Sequence, residues 1–187
     1  MRRAWIVACA LGLLASGCGN QQSKPPDVSV PARPAGATSV AFDAQGVRFA
    51  APGGWHVQAG QAPLVAVVQS GTASIAVWRY PRSEPLPRTG AQLRQARDLL
   101  VQAARARDQT FKASRTAITK LGTHPAIQLR GTETISGQPR TVRSTHVYAF
   151  GGEVVVDAFA PADVFGRVDR EAFRPLVRSL RLRSPGS

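Results

Sequence analysis

The chain has 187 residues, with 24 Lys and Arg against 11 Asp and Glu, for a formal net charge of +13. This length suits one globular domain that buries a core without help from a disulfide or metal. The positive charge comes from 21 Arg and 3 Lys dispersed along the chain with no run of five or more, which argues against a nucleic-acid-binding segment.

The first predicted element is an apolar run over residues 4–15, directly after Met1-Arg2-Arg3. As a helix it would rise only about 18 Å, whereas a bilayer core is about 30 Å thick. Basic residues before it and small residues after it give the order of a secretory signal, here residues 1–17. The run closes with Leu14-Ala15-Ser16-Gly17-Cys18, which resembles the bacterial lipobox, with Ala15 in place of the commoner Leu. That resemblance implies cleavage before Cys18 and lipidation of its thiol, leaving a mature chain of 170 residues with charge +11. Two or more acyl chains anchor a protein stably where one does not. The expected location is therefore the cell membrane or outer membrane, facing the extracytoplasmic side, with the membrane as partner through Cys18 and no nucleic acid. Gly19 permits outer-membrane sorting, and Arg2-Arg3 leaves both general and twin-arginine export open. Cys9 leaves with the signal, so no disulfide is expected. The remaining positive charge suits attraction to anionic head groups or acidic envelope polymers within a Debye length of about 8 Å.

Residues 18–39 hold four prolines and almost no large apolar side chains, and are predicted to be a flexible, lipid-anchored linker. Extended at about 3.1 Å per residue, it would reach roughly 60 Å from the bilayer. A single domain is expected over residues 40–183, followed by a disordered tail, 184–187. Its first strand, 47–51, meets the breaker Pro52-Gly53-Gly54 and then Trp55, a large core anchor. Residues 64–69 and 73–80 flank Ser70-Gly71-Thr72 as a hairpin, and Leu64-Val65-Ala66-Val67-Val68 is apolar enough for burial on both sheet faces. Thr89 is a candidate cap for a helix to about residue 107, with Leu93, Ala96, Leu100, Ala103 and Ala104 on a core-facing stripe.

Strands at 112–121, 126–135, 141–150 and 153–160 form a predicted antiparallel meander, joined at Gly122-Thr123-His124-Pro125, Ser136-Gly137-Gln138-Pro139 and Gly151-Gly152. Phe173, Leu176, Val177 and Leu180 fall on one face of a C-terminal helix, which Pro175 must kink or restart.

This element order, with Gly46-Val47-Arg48-Phe49-Ala50-Ala51-Pro52-Gly53-Gly54-Trp55 opening it and 173–182 closing it, resembles the Mog1/PsbP-like family. The resemblance spans about residues 40–182 and implies an α+β fold: an antiparallel sheet of six or seven strands between helices, an α/β/α sandwich. Members serve as binding or assembly modules without a common enzymatic activity, so the motif carries no functional residues over.

The chemistry-bearing residues form no recognisable motif. His56, His124 and His146 lack metal-ligand spacing and no thiol remains to complete a zinc site, so neither metal nor cofactor is expected. No Gly-x-Ser-x-Gly elbow occurs, and Gly53-Gly54 lacks the continuation of a phosphate loop. Glu133, Glu153 and Asp157 can meet across neighbouring strands, but an acid/base role depends on their separation. No catalytic residue is assigned, and the expected function is a non-catalytic binding or assembly module of the cell envelope. The alternative is a carrier of a small apolar ligand or lipid, motivated by Phe150, Val155 and Phe159, and requiring a pocket of about 300 Å³ or more. A hydrolase would instead need a nucleophile within reach of a base in a cleft.

Overall fold

Period-two alternation of apolar residues, punctuated by glycine turns, builds the strands. The computed structural model describes residues 27–186, so the predicted signal peptide, Cys18 and the first part of the predicted linker lie outside the described residues. The first strands are β1 (Ala37–Phe42), β2 (Val47–Pro52), β3 (His56–Ala59), β4 (Leu64–Ser70) and β5 (Ala73–Pro81). Helix α1 (Gly90–Arg107) leads to the meander β6 (Lys112–Leu121), β7 (His124–Ile135), β8 (Gln138–Ala149) and β9 (Gly152–Ala160). Helices α2 (Ala162–Val168) and α3 (Arg174–Ser179) and the short strand β10 (Arg181–Leu182) complete the fold.

Seven strands form one antiparallel sheet in the order β3-β4-β5-β9-β8-β7-β6, and β1-β2-β10 form a second, smaller sheet. The fold is α+β, as expected, although the strand after the linker joins the small sheet and not the main one. Alternation sends Val154, Val156, Ala158 and Val147 to one face of the main sheet, where they pack with Phe49, Trp55, Phe165, Phe173 and Leu176. Ile127, Leu129 and Tyr148 face the other way and meet Leu93 of α1. The main sheet therefore lies between α1 on one side and α2, α3 and the small sheet on the other.

Helix α1 begins where the sequence places it. Thr89 Oγ1 accepts from Gln92 N at 3.2 Å while Gln92 Oε1 accepts from Thr89 N at 3.0 Å, a reciprocal capping box. The C-terminal helix starts earlier than the apolar stripe suggested, because α2 precedes it and a π turn, Asp169–Phe173, joins α2 to α3. Pro175 has no N–H and its ring crowds the carbonyl four residues back. The chain widens before it, the Arg174 N–H reaching back five residues to Asp169 O, and the helix continues through the proline.

The predicted linker departs most from expectation. Residues 27–36 lie against the domain and β1 begins at Ala37, inside the segment read as a free spacer. Ser29 O accepts from Thr72 N at 2.8 Å, Pro31 O from Arg167 Nη2 at 2.8 Å, and Ala32 O from the Trp55 indole N–H at 3.0 Å. Gly53 makes this contact possible: a Cβ there would lie 2.2 Å from Ala35 O. Proline-rich composition removes the means to build a core, but it leaves carbonyl acceptors that another surface can use. At the other end, the Gly186 N–H donates to Asp43 O at 3.4 Å, so residues 184–186 of the predicted tail run along the turn after β1.

Candidate functional site

Strand β8 is interior to the main sheet, and alternation places Val142, Ser144, His146 and Tyr148 on the face toward α1. The β8–β9 register sets Ser144 opposite Asp157 and Tyr148 opposite Glu153, with Val155 opposite His146. Between this surface and α1 lies a pocket of about 340 Å³. The stripe expected to pack on the sheet is the reason for it: Ala103 and Ala104 are too short to fill the space that Leu93 fills one end of. Leu100, Phe111, Val142, Val155 and Phe159 supply apolar walls.

The polar end of the pocket is a continuous hydrogen-bonded chain. Ser144 Oγ donates to Asp157 Oδ1 and lies 3.0 Å from His146 Nε2; His146 Nδ1 lies 2.7 Å from Glu153 Oε1. At the mouth, Arg82 Nη2 approaches Glu153 Oε2 at 3.6 Å and Arg107 Nη2 approaches Glu133 Oε2 at 4.0 Å. Burial pushes the Asp157 carboxyl up from the usual carboxylate range, opposed by the Ser144 hydrogen bond and the His146 charge. Burial likewise raises Glu133, and it raises Tyr148 with help from the neighbouring Glu153 charge.

Proton counting constrains what this chain can do. One arrangement has Ser144 donating to an Asp157 carboxylate while a doubly protonated His146 donates to Ser144 and Glu153. The other has protonated Asp157 donating to Ser144, Ser144 donating to neutral His146, and His146 Nδ1–H donating to Glu153. The two contain the same number of protons and differ by transfer through the serine hydroxyl. The Ser–His–Glu spacing matches that of a hydrolytic triad. Ser144, however, lies mid-strand with β7 and β9 paired on either side, so the local backbone N–H groups are committed to the ladder and not free as oxyanion donors.

Of the histidines, the structure brings only His146 to this site: His56 is exposed on β3, and His124 meets the Phe150 ring edge-on at 5.2 Å. Glu133, Glu153 and Asp157 all line the pocket, as do Val155 and Phe159. Phe150 does not. It occupies the β8–β9 turn, with φ of 48°, and not the end of a strand. Among the described residues, no group of three His, Cys, Asp or Glu side chains is placed to hold a metal ion. Ser144 was missed by motif reasoning, although its alternation with His146 and Tyr148 was readable.

The architecture has counterparts among solved structures. Cyanobacterial PsbP (CyanoP) from Synechocystis sp. PCC 6803 superposes with a TM-score of 0.62 at 12% identity, covering 80% of this chain and 94% of that one. The fold is Mog1/PsbP-like. LpqN, involved in cell envelope biogenesis of Mycobacterium tuberculosis, matches with a TM-score of 0.54 at 16% identity over 78% of this chain and 90% of its own. The Saccharomyces cerevisiae Ran-binding protein Mog1p gives 0.52 at 10% identity over 79% and 96%. No protein-family model matches the sequence, and no curated protein does. At such identities the Mog1/PsbP-like likeness concerns the sheet and helices and leaves the pocket chemistry to be argued from this chain's own residues.

Proposed function

We propose that the protein is a lipid-anchored, extracytoplasmic, non-catalytic binding module whose α1 pocket takes a small amphipathic ligand. The supporting observation is the pocket's division into an apolar wall and an acceptor-rich end, within a volume of about 340 Å³. Leu100, Phe111, Val155 and Phe159 suit an acyl or aromatic body, while Glu133, Glu153 and Asp157 suit a head bearing hydroxyl or amine donors. This merges the binding-module expectation with its carrier alternative. The envelope setting rests on the lipobox-like Leu14-Ala15-Ser16-Gly17-Cys18, and LpqN's association with envelope biogenesis agrees with it. The commitment of the backbone N–H groups around Ser144 to the strand ladder supports the non-catalytic reading.

Native mass spectrometry of the full-length protein, extracted from its membrane, tests the proposal. A bound small molecule is expected on the wild type and lost in Ala103→Trp, which fills the pocket from the helix side. An adduct-free wild type, or one that Ala103→Trp leaves unchanged, contradicts it. Ester turnover abolished by Ser144→Ala would replace it with a hydrolase.

A further inference from the structure

On the opposite face of the main sheet, the strand register creates a row of like charges. Arg115 on β6 pairs directly with Arg130 on β7, and Arg130 with Arg143 on β8. Like charges set directly opposite across strands repel and destabilise the pair. Helix α3 adds Arg174 and Arg178, one turn apart, over the same space, and the five guanidinium groups line a pocket of about 350 Å³.

The compensation is incomplete. Among the described residues, Asp169 is the one carboxylate paired with this group: Arg143 Nη1 lies 2.8 Å from its Oδ1, and Arg174 Nη2 lies 2.9 Å from its Oδ2. Among the described residues, no carboxylate lies within ion-pair distance of Arg115, Arg130 or Arg178. Arg143 is also fixed by Gln128 Oε1 at 2.8 Å and by the Phe173 ring, 5.6 Å from its guanidinium carbon. Arg130 rests over the Phe165 ring at 5.2 Å. Two of the forks are thus held in place before any ligand arrives, which reduces the ordering cost of binding.

We infer that this pocket is a binding site for a phosphate-bearing head group, monoester or diester, separate from the α1 pocket. Planar guanidinium forks match phosphate oxygens two at a time. Three uncompensated charges around one cavity suit a phosphate, singly charged as a diester and close to doubly charged as a monoester, and the volume leaves space for the glycerol or sugar that carries it. The inference does not depend on the α1 reading, since the two pockets lie on opposite faces of the sheet.

The test uses the full-length lipoprotein in neutral detergent, titrated calorimetrically with glycerol 1-phosphate, with glycerol as the uncharged control. A parallel arm measures vesicles of phosphatidylcholine with and without phosphatidylglycerol. Saturable binding of either phosphate probe, weakened at least about tenfold in Arg130→Gln/Arg178→Gln, is the expected result, because the variant removes two charge-assisted contacts to the phosphate. Preference for the soluble monoester assigns the site to a free phosphate compound, and preference for the anionic vesicle assigns it to a lipid. Arg94→Gln/Arg105→Gln removes equal charge from α1 and should leave affinity within about twofold. Arg115→Gln, on the sheet edge, provides a second pocket variant if the double variant has a lowered thermal midpoint. No binding of either probe, or equal loss in the α1 control, would overturn the assignment.

Discussion

Asp157 is half-buried at the pocket wall and shares its hydroxyl partner with a histidine, so its protonation governs the state of the whole Ser144–His146–Glu153 chain. Burial raises its pKa from 3.8, which favours the neutral acid in the folded protein. The stabilisation this gives is fully present below the unfolded value and is lost as pH climbs through the raised folded value. Asp157→Asn holds a neutral, donating group at every pH. The variant should match the wild type in thermal midpoint near pH 3 and exceed it progressively above about pH 4. A gap that stayed constant with pH would show that Asp157 does not titrate in this way. At the same scale, one turn decided what sequence reading could see. A turn at Gly151-Gly152 would pair Phe150 with Glu153, and hence Ser144 with Phe159 and His146 with Asp157. The actual turn places Phe150 and Gly151 at φ of 48° and 67°, which moves each partner by two residues. The face survived this error because the shift is even, but the serine–aspartate contact did not.

Among the elements, α1 was the most legible and the most deceptive. Its cap, limits and stripe follow from spacing, and Thr89→Ala should remove about 1 kcal/mol of stability by unmaking the capping box, as measured by chemical denaturation. Thr89→Ser should retain most of it. Periodicity, however, reports which side faces the sheet and not how closely. Leu93 is buried, whereas Ala103 is exposed at the pocket edge, so the same stripe is core at one end and cavity wall at the other. Helix α2 was hidden for a different reason. It is only seven residues long, and its helical continuation depends on a π turn that no local propensity announces. The arginine row was equally hidden, since residues 115, 130 and 143 become neighbours only through pairing across three strands.

For the whole molecule, the Mog1/PsbP-like arrangement was readable from element order and from Trp55 after a proline-glycine break. The extent of the domain was not, because residues 27–36 are held by main-chain acceptors, which composition does not distinguish from free ones. The attachment proposed at Cys18 has a direct check. Cys18→Ser should move the folded protein from the membrane pellet to the soluble fraction, and retention through a high-salt wash would mean that something other than acyl chains holds it.

The docked segment also changes what such an attachment does mechanically. Only residues 19–26 separate Cys18 from Asp27 in the sequence, so a lipid on Cys18 would leave a tether reaching at most about 28 Å if extended at about 3.1 Å per residue, less than half the reach expected of a spacer running to residue 39. Its fixed end leaves the body beside the β4–β5 turn, where Ser29 is bonded to Thr72 and Arg140 Nη1 reaches Thr72 O at 3.0 Å. If Cys18 carries the anchor as proposed, a domain on so short a leash, fastened at one corner, would be restricted in its tumbling above the bilayer. It would hang with that corner downward and offer its remaining sides to the envelope in a restricted set of orientations.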